Sequence, residues 1–237
     1  MAVALPLRSR PAVGAVSPTG LVSDEVEELY DYDVLRQLSE PSMFIVRVSA
    51  PTVVLGGSQP RSVLQSAEGL GIRRRRGGGG AVLLQPDDVW VDWWIPRDDE
   101  RWHVDVHECS YLVGQWWQQA LSSVSCDTEM HRGAVIDDPA TRVACFTGRG
   151  PGELFRHDRK VVGVTQWRVR EGMFLSTVLH EAPSTALAAA LLPGSTALVD
   201  ALDHHTLTSL DIDGDQVLLH LRAASQPVTV RQLYLLA

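Results

Sequence analysis

Four arginines run directly into four glycines, Arg73 to Gly80, and neither a helix nor a strand interior tolerates such a run. Glycine gives up the most conformational freedom in regular structure, so the segment reads as a loop. The apolar residues around it, Ile72 before and Ala81 to Leu84 after, read as strands entering and leaving that loop. As chemistry, amides without a Cβ beside guanidinium groups suit a phosphate or carboxylate. As plain structure, the run is a solvated loop beside a block of charge. The known phosphate signatures do not fit, because no Lys-Ser/Thr follows the glycines and Val82 stands where the last glycine of GxGxxG would be.

The rest of the chain alternates strand-like and helix-like segments without a regular rhythm. Asp24 to Leu38 reads as an amphipathic helix behind Ser23. Met43 to Val48 and Thr52 to Leu55 read as strands, and Ala81 to Leu84 with Val89 to Ile95 reads as a hairpin turning at Gln85 to Asp88. His103 to Val124 has the clearest helical period, with Val113, Trp116, Trp117, Ala120, Leu121 and Val124 on one face. Arg142 to Phe146, Lys160 to Arg168 and Met173 to Leu179 follow as strands, the last two joined at Glu171-Gly172. Two short Ala/Leu-rich helices are split by Pro193-Gly194, and Asp213-Gly214 reads as a hairpin turn rather than a calcium loop. Together these segments predict an α/β (α+β) fold, a mixed β-sheet flanked by helices, with residues 1–22 as a loose N-terminal arm and 23–237 as a single domain.

Composition narrows the function. Acidic residues outnumber basic ones, 29 to 21, for a net charge of −8, which disfavours nucleic acid and anionic membranes as partners. No apolar stretch reaches the ~18 residues of a membrane span, and Cys109, Cys126 and Cys145 lack the spacing of a zinc site, so a cytoplasmic protein without a metal centre is expected. His103 and His107 are one helical turn apart, but HExxH is absent and no third ligand is evident.

Of the 21 basic residues, 20 are Arg and the remaining one is Lys160. A chain that has nearly abandoned lysine but keeps one beside Gly163 and β-branched residues marks it as a candidate for chemistry. Cys145 has two readings. It is a small apolar residue in Val143-Ala-Cys-Phe146, or a nucleophile ahead of a glycine-rich loop that carries Arg149.

Three blocks in order resemble the catalytic domain shared by lipoate-protein ligases, octanoyltransferases and biotin ligases. Pro51-Thr-Val-Val-Leu-Gly-Gly-Ser-Gln59 looks like the family's strand-loop, Arg74 to Val82 is similar to its Arg-Arg-x-Ser-Gly-Gly-Gly-Ala-Val loop, and Asp158 to Gln166 resembles the strand that carries its essential lysine. The likeness spans roughly residues 40–180. It implies a biotin/lipoate ligase-type domain without a separate accessory domain, in which Lys160 holds the acyl oxygen and Gly78, Gly79 and Gly80 lie over the acyl chain and phosphate. Arg74 and Arg75 would then meet an acyl-adenylate, with Gly163 and Thr177 lining the site. The implied reaction joins lipoate or octanoate to a lysine of a lipoyl carrier domain, in a 2-oxo acid dehydrogenase complex or the glycine cleavage H protein, using ATP and Mg²⁺.

The departures run one way. The family's His-Asp after the glycine loop is Leu84-Gln85, its Gly-Arg-Asn-Asp is Gly148-Arg149-Gly150-Pro151, and its His-His-Gly-Thr is Phe174-Leu-Ser-Thr177. The segment around Cys145, fifteen positions before Lys160, is similar to the cysteine segment of one octanoyltransferase branch. That implies the alternative of transfer from a carrier thioester, with acyl carrier protein as a candidate partner and no ATP. A non-catalytic acyl-binding relative is the third reading.

Overall fold

The computed structural model describes residues 26–136, 142–179, 184–205 and 210–235. The arm expected at 1–22 lies outside them. A seven-stranded sheet runs in the order β10-β1-β5-β9-β8-β7-β6, and a three-stranded sheet in the order β3-β2-β4. The strands of the large sheet are β1 (Ser42–Val48), β5 (Val89–Pro96), β6 (Glu129–Met130), β7 (Leu154–Arg156), β8 (Arg159–Arg168), β9 (Gly172–Leu179) and β10 (Thr229–Leu235). Those of the small sheet are β2 (Thr52–Leu55), β3 (Gly71–Arg74) and β4 (Val82–Leu84). In the large sheet β1 and β10 are parallel and the other neighbours antiparallel, which makes it the mixed sheet expected.

Helices cover both faces. On one lie α2 (Val106–Ser123) and α5 (Gly214–Ala224), and on the other, with the small sheet, lie α3 (Ser184–Leu191) and α4 (Thr196–His205). Strand β5 shows how the sequence builds this. All eight of its residues are buried, and the period of two sends Trp90 and Trp94 toward the small sheet while Val91, Trp93 and Ile95 pack under α2. A strand covered on both faces reads as a continuous apolar run, which explains its load of tryptophan.

Four expectations are corrected. The segment 24–38 is not a helix over its described part: Glu28 forms a parallel bridge with Arg74 and only Tyr32–Leu35 is helical, as α1. Tyr30 and Tyr32 are buried among Phe44, Phe174 and Trp167, and tertiary burial of two tyrosines outweighs the local period. Residues 85–88 do not close a hairpin, since β4 pairs with β2 and β5 with β1 and β9, so the turn carries the chain from one sheet to the other. Arg142 to Phe146 is not a strand. It makes a single bridge, Ala144 to Ala81, and then a 3₁₀ turn over Cys145–Thr147. Asp213 is a helix cap, its carboxylate accepting from the amides of Asp215 and Gln216 at 2.9 and 3.4 Å. No described helix is long and apolar enough to cross a membrane.

Candidate acyl-handling site

The arginine-glycine run leaves β3 and folds back over the end of β2, held there by Arg74 and Arg75 through backbone carbonyls. Arg75 is 1% exposed. Its guanidinium donates to the carbonyls of Val54, Gly78 and Gly80 at 3.2, 2.7 and 2.8 Å, so it supports the glycine loop from below. Arg74 donates to the carbonyls of Gly56 and Gln59. Arg76 pairs with Glu28 and Asp33 and lies over the rings of Trp167 and Tyr32. Arg73 reaches Glu27 at 3.4 Å. All four guanidinium groups of the run, including those of Arg74 and Arg75 expected to meet an acyl-adenylate, are thus engaged by the fold.

Of the four glycines Gly78 is open, whereas a Cβ on Gly80 would stand 2.7 Å from the Ala144 backbone and one on Gly77 2.9 Å from Thr165. Gly79 has φ +86°, where an L side chain is strained, and a Cβ there would stand 3.2 Å from the Arg75 guanidinium and 3.5 Å from Cys145 Sγ. A Cβ on Gly78 would meet nothing within 4 Å. Gln59 ties this loop to the cysteine segment, accepting from the Gly56 amide at 3.0 Å and donating to the carbonyls of Arg142 and Val143 at 3.1 Å each. The amide of Cys145 donates to Ala81 at 3.0 Å. These bonds set Cys145, half-buried, beside Gly79.

Lys160 enters from β8. It is 1% exposed, donates to the Cys145 carbonyl at 3.0 Å and pairs with Glu153 at 2.8 Å. Sequence reasoning did not assign Glu153 a role. The structure places it through a short hairpin, since His157 and Asp158 both have positive φ, as a two-residue turn requires, and this brings the residues before β7 alongside β8. Glu153 also accepts from the Gly150 amide at 2.6 Å, so one carboxylate fixes both the lysine and the loop before β7.

Gly78 to Gly80, Cys145, Arg149, Glu153 and Lys160 line one cavity of about 350 Å³. From it a narrow apolar slot runs between the sheets past Val82, Trp90, Phe146, Gly163 and Val178. Thr177 borders the slot, but its hydroxyl donates to the Val91 carbonyl and accepts from Trp117 Nε1, both at 2.8 Å, and so is occupied by the core. Asp92, fully buried in β5, accepts from Trp90 Nε1 at 2.6 Å and from the Tyr30 hydroxyl. Burial pushes its carboxyl up to about 7, against the opposing pull of Tyr30, Trp90, Ser176 and the Arg75 charge. Among the described residues no group of three or more His, Cys, Asp or Glu is placed to hold a metal.

A glycine loop, a buried lysine and a cysteine thus line one cavity beside a narrow apolar slot. The chain belongs to the lipoyl protein ligase A/B catalytic domain family, whose model matches residues 26–208. Among solved structures it is similar to a lipoate-protein ligase A bound with ATP, at TM-score 0.66 and 17% identity over 87% of this chain and 82% of that one. A putative lipoate protein ligase from T. acidophilum with bound lipoic acid gives TM-score 0.65 and 15% identity over 86% and 81%. A bi-partite lipoate protein ligase from Thermoplasma acidophilum, described with its E2 lipoyl domain, gives 0.64 and 15% over 87% and 80%. At such identities the likeness is one of fold. Comparison with curated protein sequences gave no match.

Proposed function

We propose that this protein forms the amide between a lipoyl or octanoyl group and the ε-amine of a lysine on a lipoyl carrier domain, in a 2-oxo acid dehydrogenase complex or the glycine cleavage H protein. The observation that carries this reading is the convergence of Lys160, Cys145 and Gly78 to Gly80 on one cavity. When an amine attacks an acyl carbon, negative charge grows on the acyl oxygen. A fixed ammonium beside that oxygen stabilises the charge without reorganising water, and Glu153 and the Cys145 carbonyl fix this ammonium.

Two routes reach the amide. In the first, the Cys145 thiolate attacks a carrier thioester, the carrier thiolate leaves, and the acyl-Cys145 thioester is then broken by the acceptor amine, which loses its proton as the Cys145 thiol is restored. No ATP is needed, because a thioester is already activated. In the second, ATP and the acid give an acyl-adenylate held over Gly78 to Gly80, pyrophosphate leaves, and the acceptor amine displaces AMP. Mg²⁺ would then arrive with the nucleotide. The arginines, each engaged by a carboxylate or a carbonyl of the fold, favour the first route, since they leave few side-chain donors for phosphate. The open face at Gly78 favours the second, as does the likeness to a ligase with ATP bound.

Intact mass of a lipoyl domain incubated with the protein tests the reading, with gains of about 126 Da for octanoyl or about 188 Da for lipoyl. An acyl group on Cys145 from octanoyl carrier without ATP, abolished by Cys145→Ser, supports the thioester route. Modification that needs ATP and survives Cys145→Ser selects the adenylate route, and no modification under either condition refutes the proposal.

A further inference from the structure

The apolar slot that leads from the Lys160 cavity is closed. Its free volume is about 10 Å³, enough for at most one water, whereas a pocket holding a six-carbon ring needs on the order of 150 Å³. A medium-length acyl chain therefore enters only if a side chain leaves.

Phe146 is that side chain. Its ring is 2% exposed and borders the slot, and it rests on the bare backbone of Gly163, where a Cβ would stand 3.1 and 3.3 Å from two ring carbons. The same ring lies 5.4 Å from Lys160 Nζ and belongs to the 3₁₀ turn that starts at Cys145. Val82, Trp90, Val164 and Val178 form the remaining apolar wall and lie in four different strands. The ring is attached to a short turn bridged to Ala81 rather than to a continuous strand ladder, so it is the wall element with the fewest backbone constraints.

We propose that Phe146 is the specificity-determining gate of the acyl slot. In the closed position its ring fills the space of the chain and faces the Lys160 ammonium. A linear acyl group binds by swinging the ring off Gly163, which removes that contact and leaves the ammonium facing the acyl oxygen. The inference rests on the proposed acyl-transfer reading for its substrate class, and its test separates the two.

Binding of butyrate, octanoate and dodecanoate to the full chain is followed by calorimetry and by intrinsic tryptophan fluorescence, to which Trp90 at the slot contributes. In wild type, affinity should rise little with chain length, because each longer chain must hold the ring further open. In Phe146→Ala, octanoate should bind at least tenfold tighter than in wild type, and affinity should rise about fourfold per added methylene, the yield of free apolar burial. Phe146→Leu, which keeps the core filled, should move the same way by less, and Gly163→Ala should move the preference toward butyrate. Equal chain-length profiles in wild type and all three variants, or weaker octanoate binding in Phe146→Ala and Phe146→Leu, would overturn the gate. Carrier acylation by wild type with an unshifted profile overturns the gate alone, whereas the shifted binding profile without any carrier acylation supports the gate and refutes the enzymatic reading.

Discussion

Replacing Lys160 by alanine should cost stability as well as activity, and the two losses can be separated. The lysine and glutamate side chains are 2% and 5% exposed and 2.8 Å apart. Solvent screening is therefore slight, and removing one partner leaves the other as an uncompensated buried charge. Breaking such a pair costs about 3–5 kcal/mol. In a chain of this length that lowers the melting temperature by about 6–20 °C, at about 2–4 °C per kcal/mol. Removing both charges together, as Lys160→Met with Glu153→Gln, should recover much of the lost stability, since neither partner is then left as an uncompensated buried charge. Activity should behave otherwise. Both the single and the double variant lack the ammonium and should transfer acyl groups slower by about 100- to 1000-fold. Thermal unfolding and a carrier-acylation assay on the same preparations give both numbers. The reasoning fails if Lys160→Ala melts with wild type, or if the double variant is no more stable than the single one. Full activity in either variant would remove Lys160 from the mechanism.

Asp92 predicts a pH dependence of folding. Its carboxyl is raised to about 7 by burial, against about 3.9 in an unfolded chain, a gap of about 4 kcal/mol. The folded state keeps a proton the unfolded chain has lost, so this stability is present below pH ~4 and disappears as pH rises through ~7. Urea unfolding across that range should show the decline in wild type and a flatter profile in Asp92→Asn, and parallel profiles would refute it. Gly79→Val should distort the glycine loop, because a β-branched residue is strained at φ +86°, at a cost of about 1–3 kcal/mol; circular dichroism and melting check it. Arg75→Lys should not rescue Arg75→Ala, because one ammonium cannot span the carbonyls of Val54, Gly78 and Gly80 that the guanidinium bridges. Equal melting temperatures for Arg75→Lys and wild type would count against that role.

The sequence by itself determined the punctuation and the chemistry-bearing residue types. Glycine and proline runs mark loops whatever surrounds them, the period of α2 identifies a buried helix face, and a solitary lysine in an arginine-rich chain stands out without a structure. It also placed β1, β2, β8 and β9 within a residue or two, because apolar runs bounded by turn residues carry their own signal. What it did not determine was partnership. Val82 to Leu84 and Val89 to Pro96 look like two arms of one hairpin, yet they belong to different sheets, since strand pairing depends on which edges meet in space and not on which runs are adjacent. Likewise Arg75 beside four glycines looks like an anion clamp, and only the packed structure turns its guanidinium onto the backbone carbonyls of Val54, Gly78 and Gly80. Glu153 as the partner of Lys160, Phe146 against Gly163 at the slot and Asp92 as a carboxyl buried in the core are each set by contacts across the fold. Burial and charge pairing are properties of the assembled interior, so tertiary structure decided them.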